Sequence, residues 1–309
     1  MPALALPESL RVFERGWLSS NNVLFFDDDG AVSLVDSGYV AHAEQTLQLV
    51  EHAAGGRPLR RIVNTHLHSD HCGGNALLRM RTGCAIFIPP GHADAVAVWD
   101  EARLSYRELG QRCPRFEFDD LVEPGSSLTL GALRWQVIAA PGHDAHQVML
   151  WCASERLLIS ADVLWERGFG AIFSEVEGES GFDEQRAMLD CIADLAPLAV
   201  IPGHGAPFAD AGAALTRAYA RLEALASDPV RNARSTGRAL LKFFLLEVRT
   251  TTIDGLVAHL GSTRFWQALH ARYFSNLSAP AMIELFLDDL VASGAARRHD
   301  GQVFDAERI

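Results

Sequence analysis

The chain has 309 residues, 49% hydrophobic and 21% charged, a balance that supports a buried core and excludes a disordered chain. The formal net charge of −12 argues against a partner built on a phosphate backbone. No apolar run approaches the ~20 residues a membrane span requires, and the first residues, MPALALPESLRVFERGW, lack the basic and long apolar regions of an export signal.

The cysteines are Cys72, Cys84, Cys113, Cys152 and Cys191, with no C-x-x-C pair, and in a chain this long they read as reduced, cytoplasmic and structural. Lys242 is the only lysine, and with the many alanines this reads as the bias of a GC-rich bacterial genome.

VLFFDDDGAVSLVDSG predicts a hairpin, with strands over 23–26 and 31–35 and a turn at Asp29-Gly30. A helix follows over 41–53, with Leu47, Val50 and Ala54 on one face. LRRIVNTHLH predicts a buried strand ending in histidines. Gly73 and Gly74 open a helix over 75–80, and CAIFIPP is a strand stopped by Pro89-Pro90. Residues 91–120 break the pattern with a helix and a loop, a segment suited to a lid or pocket wall. Strands resume at SLTLG, LRWQVIAAPGH, QVMLWCA and RLLISAD. An amphipathic helix over 183–195 precedes the strand LAVIPGHG. Beyond residue 211 the pattern is almost wholly helical, with five helices and a small hairpin turning at Asp300-Gly301. The chain thus divides into residues 1–211 and an appended unit, 212–309.

Side chains at strand ends converge on one edge of a sheet. Four such ends carry metal-binding groups: THLHSDHCGG at 65–74, His143 in APGHDAH, Asp162 in LLISAD and His204 in VIPGHG. In an extended segment alternate side chains share a side, so His66 and His68 point together. Asp70 and His71 follow at a turn and point elsewhere. Imidazole suits zinc or iron, and a carboxylate can bridge two ions. The spacing therefore predicts two divalent metal ions, zinc first, with iron or manganese accepted by the same groups. His66, His68 and His143 would hold one, Asp70, His71 and His204 the other, and Asp162 both. Asp70 is also the candidate catalytic group, placed to orient a nucleophile or move its proton.

With VDSG at 35–38, THLHSDHCGG, PGH at 141–143, Asp162 after a strand and PGHG at 202–205, residues 10–210 resemble the metallo-β-lactamase-fold hydrolases, in the branch with a bridging Asp that includes glyoxalase II. The resemblance implies an α/β (α+β) fold, a four-layer αββα sandwich with its metals at one edge, here followed by a mainly helical, winged-helix-like unit. It implies the same division of ligands and a supporting role for Asp36. This sequence departs from the family where PGHDAHQ replaces P-G-H-T-x-G-S, placing His146 and Gln147 at small positions, and where Ala161 replaces the usual Gly before the bridging acid. The β-lactamases of the fold usually lack that acid, so its presence argues against antibiotic hydrolysis.

The other residues read more plainly. His42, His52, His259, His270 and His299 read as surface or satisfied core, and His92 as a loop residue. Cys72 reads as a small packed residue at a helix start. His146 is balanced between cleft and loop. Trp99, Tyr106, Phe116, Trp165, Phe169 and Phe173 flank the site in sequence. Trp165 and Phe169, following Asp162, are expected to line a cleft, and Tyr106 to reach a substrate oxygen.

The expected activity is hydrolysis of a small ester, thioester or lactone. The alternatives are a phosphodiesterase or ribonuclease of the same fold and an iron-dependent redox relative. Against a nucleic-acid partner, APAMIELFLDDLVASG carries Glu284, Asp288 and Asp289 and no basic residue, so it reads as a wall of the cleft or a homodimer contact.

Overall fold

Strands Asn22–Phe26, Val32–Val35, Val148–Cys152 and Leu157–Ala161 are buried along nearly their whole length. Strands apolar on both faces need cover on both sides. The computed structural model, which describes Leu4 and residues 6–306, supplies it by stacking two sheets and coating each with helices. The other residues of the amino-terminal segment read above for an export signal lie outside the described residues.

The first sheet runs in the order Leu10–Phe13, Asn22–Phe26, Val32–Val35, Leu59–Val63, Ala85–Ile88, Asp120–Leu121. The second runs Ala199–Pro202, Leu157–Ala161, Val148–Cys152, Leu133–Ala139, Ser127–Leu130. Alternation sorts their side chains. Val23, Phe25, Val35 and Val63 meet Val137, Leu150, Leu157 and Ile159 between the sheets. Leu24, Leu34 and Ile62 face outward, onto Leu47 and Val50 of helix Ala43–Ala54 and Leu78 of helix Asn75–Thr82. Met149, Leu158 and Val200 face the opposite side, onto Leu189 and Ile192 of helix Phe182–Leu195. This is the expected αββα order of layers.

Helix Ala211–Ala226 belongs to the fourth layer, since Ala214, Ala218 and Leu222 share that last cluster. The sequence pattern puts this helix in the appendage, but packing puts it on the sandwich. The next helix, Pro229–Val248, starts earlier than its apolar run implies. Asp228 caps it by accepting from Arg231 N–H, and Pro229 occupies the first turn. Its opening turns are polar, so hydrophobic periodicity alone starts it too late. Strand Leu10–Phe13 is also beyond the sequence reading: it is an edge strand whose first residue alone is fully buried.

Helices Ile253–Gly261, Arg264–Tyr273 and Ala279–Ala292 pack on Pro229–Val248 through Leu241, Leu256, Phe265, Trp266 and Phe286. A three-stranded antiparallel sheet, Thr250–Thr252, Gln302–Asp305, Ala296–His299, closes this unit. Among the described residues no helix is long and apolar enough to cross a membrane. Ala279–Ala292 does not wall the cleft. It lies behind Pro229–Val248, where a Cβ added at Gly237 would stand 2.5 Å from Phe286 Cε2.

That contact gives a stability test. Gly237→Ala gains about 1 kcal/mol of helix propensity. The methyl, however, meets a fully buried ring that cannot withdraw, and such overpacking costs about 1–3 kcal/mol. The expected result is a lower urea midpoint, a net loss of about 1 kcal/mol.

Candidate metal centre

Val32–Val35 and Leu59–Val63 pair in parallel, as do Leu157–Ala161 and Ala199–Pro202, so their carboxyl ends open on one edge of the sandwich. Asp36, Thr65–His71, Asp162 and His204 emerge there. Asp36 sits at φ 57, a left-handed conformation that Asp tolerates better than most residues. Its carboxylate accepts from Thr65 N–H at 2.9 Å, Thr65 Oγ1 at 2.8 Å and His71 Nδ1 at 2.8 Å. It thereby fixes both the loop and the tautomer of His71, leaving Nε2 free. A single helical turn, Ser69–Cys72, then swings Asp70 and His71 inward.

Two sets of donors result. His68 Nδ1 lies 3.1 Å from His66 Nε2 and 2.8 Å from His143 Nε2. The His143 ring is fixed by donation from Nδ1 to Ala171 O at 2.5 Å. On the other side, His204 Nε2 lies 3.1 Å from Asp70 Oδ2, and His71 Nε2 is 4.0 Å from the same oxygen. Asp162 Oδ2 stands between the sets, 3.4 Å from His143 Nε2, 3.6 Å from His71 Nε2 and 3.8 Å from His204 Nε2.

Burial and the neighbouring histidines depress the pKa of His66 well below that of free imidazole, and burial then His143 push His68 down to about 4. These rings are therefore neutral and present lone pairs. Burial would raise Asp70 and Asp162, but nearby imidazoles overcome it: His71 first for Asp70, His204 first for Asp162. Both stay ionised. Burial opposes charge on His71, yet Asp36, Asp162 and Asp70 hold its pKa well above the usual value. Among the described residues its buried Nε2 nevertheless has no hydrogen-bond partner. An orphaned nitrogen, carboxylates beside it and closely packed lone pairs are the donor chemistry of divalent metal ions, and the residues present fit them.

Residues 15–204 match the family described as the metallo-beta-lactamase superfamily. The chain belongs to this superfamily. The curated relatives include a hydroxyacylglutathione hydrolase of Rhodospirillum rubrum, 30% identical over 49% of this chain and 49% of the relative. Another, of Brucella anthropi, is 28% identical over 68% of this chain and 67% of the relative. The chain spans about half the length of the first curated relatives it matches. A metallo-beta-lactamase family protein of Thermus thermophilus has the same fold, with TM-score 0.55 at 22% identity over 97% of this chain and 100% of that one.

Gly203, before His204, packs directly against Asp162. A Cβ there would fall 2.0 Å from Asp162 Oδ1. The Ala161 departure has a cost, because that residue adopts φ 46. Left-handed geometry at a residue with a Cβ costs roughly 1–2 kcal/mol.

A cleft of about 210 Å³ opens above the donors. Trp165, Phe169 and Phe173 line it, and Trp165 Nε1 donates to Asp162 Oδ1 at 3.1 Å. The insertion contributes Leu109 and Gln111 to its wall, and helix Pro229–Val248 contributes Leu240, Phe243 and Leu246. Trp17, which no sequence pattern marks, stacks on His204 with centroids 5.4 Å apart and planes 8° apart. Asp144 is equally unmarked, with Oδ2 3.8 Å from His68 Nε2.

Tyr106 does not reach the cleft. It is buried, and its hydroxyl donates to Leu67 O at 2.9 Å and meets Cys72 Sγ at 3.2 Å, steadying the loop from behind. Trp99 and Phe116 pack with it in the outer core. His146 is exposed, its ring edge-on to His92 at 4.5 Å, and it borders a second, more polar opening beside His68 and His143.

Proposed function

We propose that the chain is a binuclear metal-dependent hydrolase of a small thioester or related carboxylic ester, lactones included. The observation that carries this reading is Asp162 Oδ2, within 3.8 Å of ring nitrogens from both donor sets. A single ion would not need a carboxylate so placed. In this proposal His66, His68 and His143 hold one ion, Asp70, His71 and His204 hold the other, and Asp162 bridges, with zinc the first choice for imidazole-rich sites. The thioester class is supported by the hydroxyacylglutathione hydrolases among the relatives.

Bound divalent ions would supply a nucleophilic hydroxide near neutral pH and positive charge for a developing oxyanion. The chain's own residues do the rest. Asp70 Oδ1 has no hydrogen-bond partner among the described residues and can hold a proton at the edge of the site. Trp17 and Trp165 cover His204 and exclude water from that side. Trp165 fixes Asp162 by its indole N–H, so the carboxylate need not reorganise during reaction. The C-terminal unit serves as the far wall of the cleft. The five free thiols fit a reducing compartment such as the cytoplasm.

The test is elemental analysis of the purified protein beside a panel of thioester, ester, lactone and phosphodiester substrates. About two ions per chain and thioester or ester turnover are expected. One equivalent of iron with no hydrolysis would instead identify a redox enzyme.

A further inference from the structure

Two cations line the cleft, Arg221 and Lys242, and they are not equivalent. Lys242 Nζ is spent: it donates to Ala295 O at 2.8 Å, to Ala306 O at 3.2 Å and to the Asp305 carboxylate. Three donors meet three acceptors, and only the aliphatic stem faces the cleft. Arg221 has no hydrogen-bond or ion-pair partner among the described residues. Its guanidinium lies over the Phe169 ring with Cζ 5.0 Å from the centroid. Burial, and then the like charge of Arg238, disfavour its charged form. Arg238 itself reaches Asp289 only at 3.9 Å, and its buried Nε has no partner among the described residues.

A half-buried guanidinium that lacks a carboxylate is costly unless something else supplies one. Apart from the Ser235 hydroxyl, the rest of this wall is apolar: Phe169, Ala239, Leu240 and Phe243. The net charge of −12 makes such an unpaired cation stand out, since acidic residues are plentiful elsewhere.

We propose that Arg221 anchors a substrate carboxylate, so that the preferred substrate is a thioester or ester with an apolar body and one anionic end. The planar fork of Arg matches a carboxylate with two parallel N–H donors. A phosphate would call for more donors than this wall offers, because Lys242 is already committed. The apolar lining receives the body of the substrate, and Phe169 stiffens the guanidinium by stacking. Among the described residues this wall has one free cation, so a peptide leaving group with several charges and amides would leave many of its groups unpaired. The inference rests on the hydrolase reading for the scissile bond, but not for the anion site.

The test is equilibrium binding to the full-length metal-loaded protein, read by quenching of tryptophan fluorescence, for which Trp17 and Trp165 in the cleft are the reporters. The probes are a non-hydrolysable alkyl thioether acid and its primary amide, of equal length. The acid is expected to bind about 10–100-fold more tightly than the amide, as befits one charge-assisted pair. In Arg221→Gln that ratio is expected to collapse toward one, and in Arg221→Lys to recover in part. Thermal melts check that the variants fold, and a variant that unfolds is replaced by Arg221→Met. Equal affinity of acid and amide in the wild-type protein overturns the proposal, and so does an undiminished ratio in Arg221→Gln. Absence of turnover on any ester would overturn the hydrolase reading and leave the acid-to-amide ratio standing as evidence for the anion site.

Discussion

Asp162→Asn is expected to lower kcat/KM by about a thousandfold, about 4 kcal/mol of transition-state stabilisation, and to reduce the bound metal toward one ion. The substitution is nearly isosteric. It keeps an oxygen for the Trp165 indole N–H, now at 3.1 Å from Oδ1, so the aromatic wall stays in place. What it removes is charge. The native carboxylate is buried yet ionised, because His204, His71 and His143 hold its pKa below the ordinary carboxylate range against the cost of burial. A neutral amide in that position cannot balance two cations. It can also turn an NH₂ toward ring nitrogens that are the proposed ligands. The measurements are steady-state kinetics on a thioester and elemental analysis of the same sample. A variant that retained both its ions and its rate would remove Asp162 from the mechanism.

The donor set was legible in the sequence because its residue types are chemically conspicuous. Seven imidazoles and carboxylates at strand ends, in order, have no ordinary structural use. The αββα layers were expected from the family resemblance, and they suit strands apolar on both faces, which demand cover on both sides. Less was visible where contact depends on a distant segment. Trp17, followed by Leu18 and the polar run Ser19–Asn22, carries no periodic signal, and only the folded chain lays it on His204. Tyr106 looked available to substrate because it lies in an insertion, but its hydroxyl is consumed behind the loop by Leu67 O. Helix Ala211–Ala226 and helix Pro229–Val248 are both amphipathic, and periodicity does not say which core each one joins. Arg221 shows the same limit more sharply. An arginine on a helix is unremarkable until the absence of a partner around it is seen.

Asp36→Asn tests whether a residue that donates no bond to any metal nevertheless governs the centre. The expected outcome is a loss of about 10–100-fold in metal affinity, read as faster stripping by a chelator. Asparagine accepts the left-handed backbone at φ 57, so the loop can still form. Its single oxygen can serve Thr65 N–H or His71 Nδ1–H, but not all three donors that the carboxylate now satisfies. Its amide NH₂ would also face a donor wherever the lost oxygen stood. The His71 ring then loses the acceptor that holds its proton on Nδ1, and its lone pair is no longer reserved for Nε2. Asp36→Ala should go further. It leaves buried donors on Thr65 and His71 unpaired, at about 1–3 kcal/mol each, so it is expected to lower thermal stability as well as metal retention. The contrast separates the two roles. If Asp36 only stiffened the fold, the Asn variant would keep its ions against the chelator and lose nothing but stability. If it orients His71, the Asn variant sheds metal out of proportion to the fall in its metal-free melting temperature.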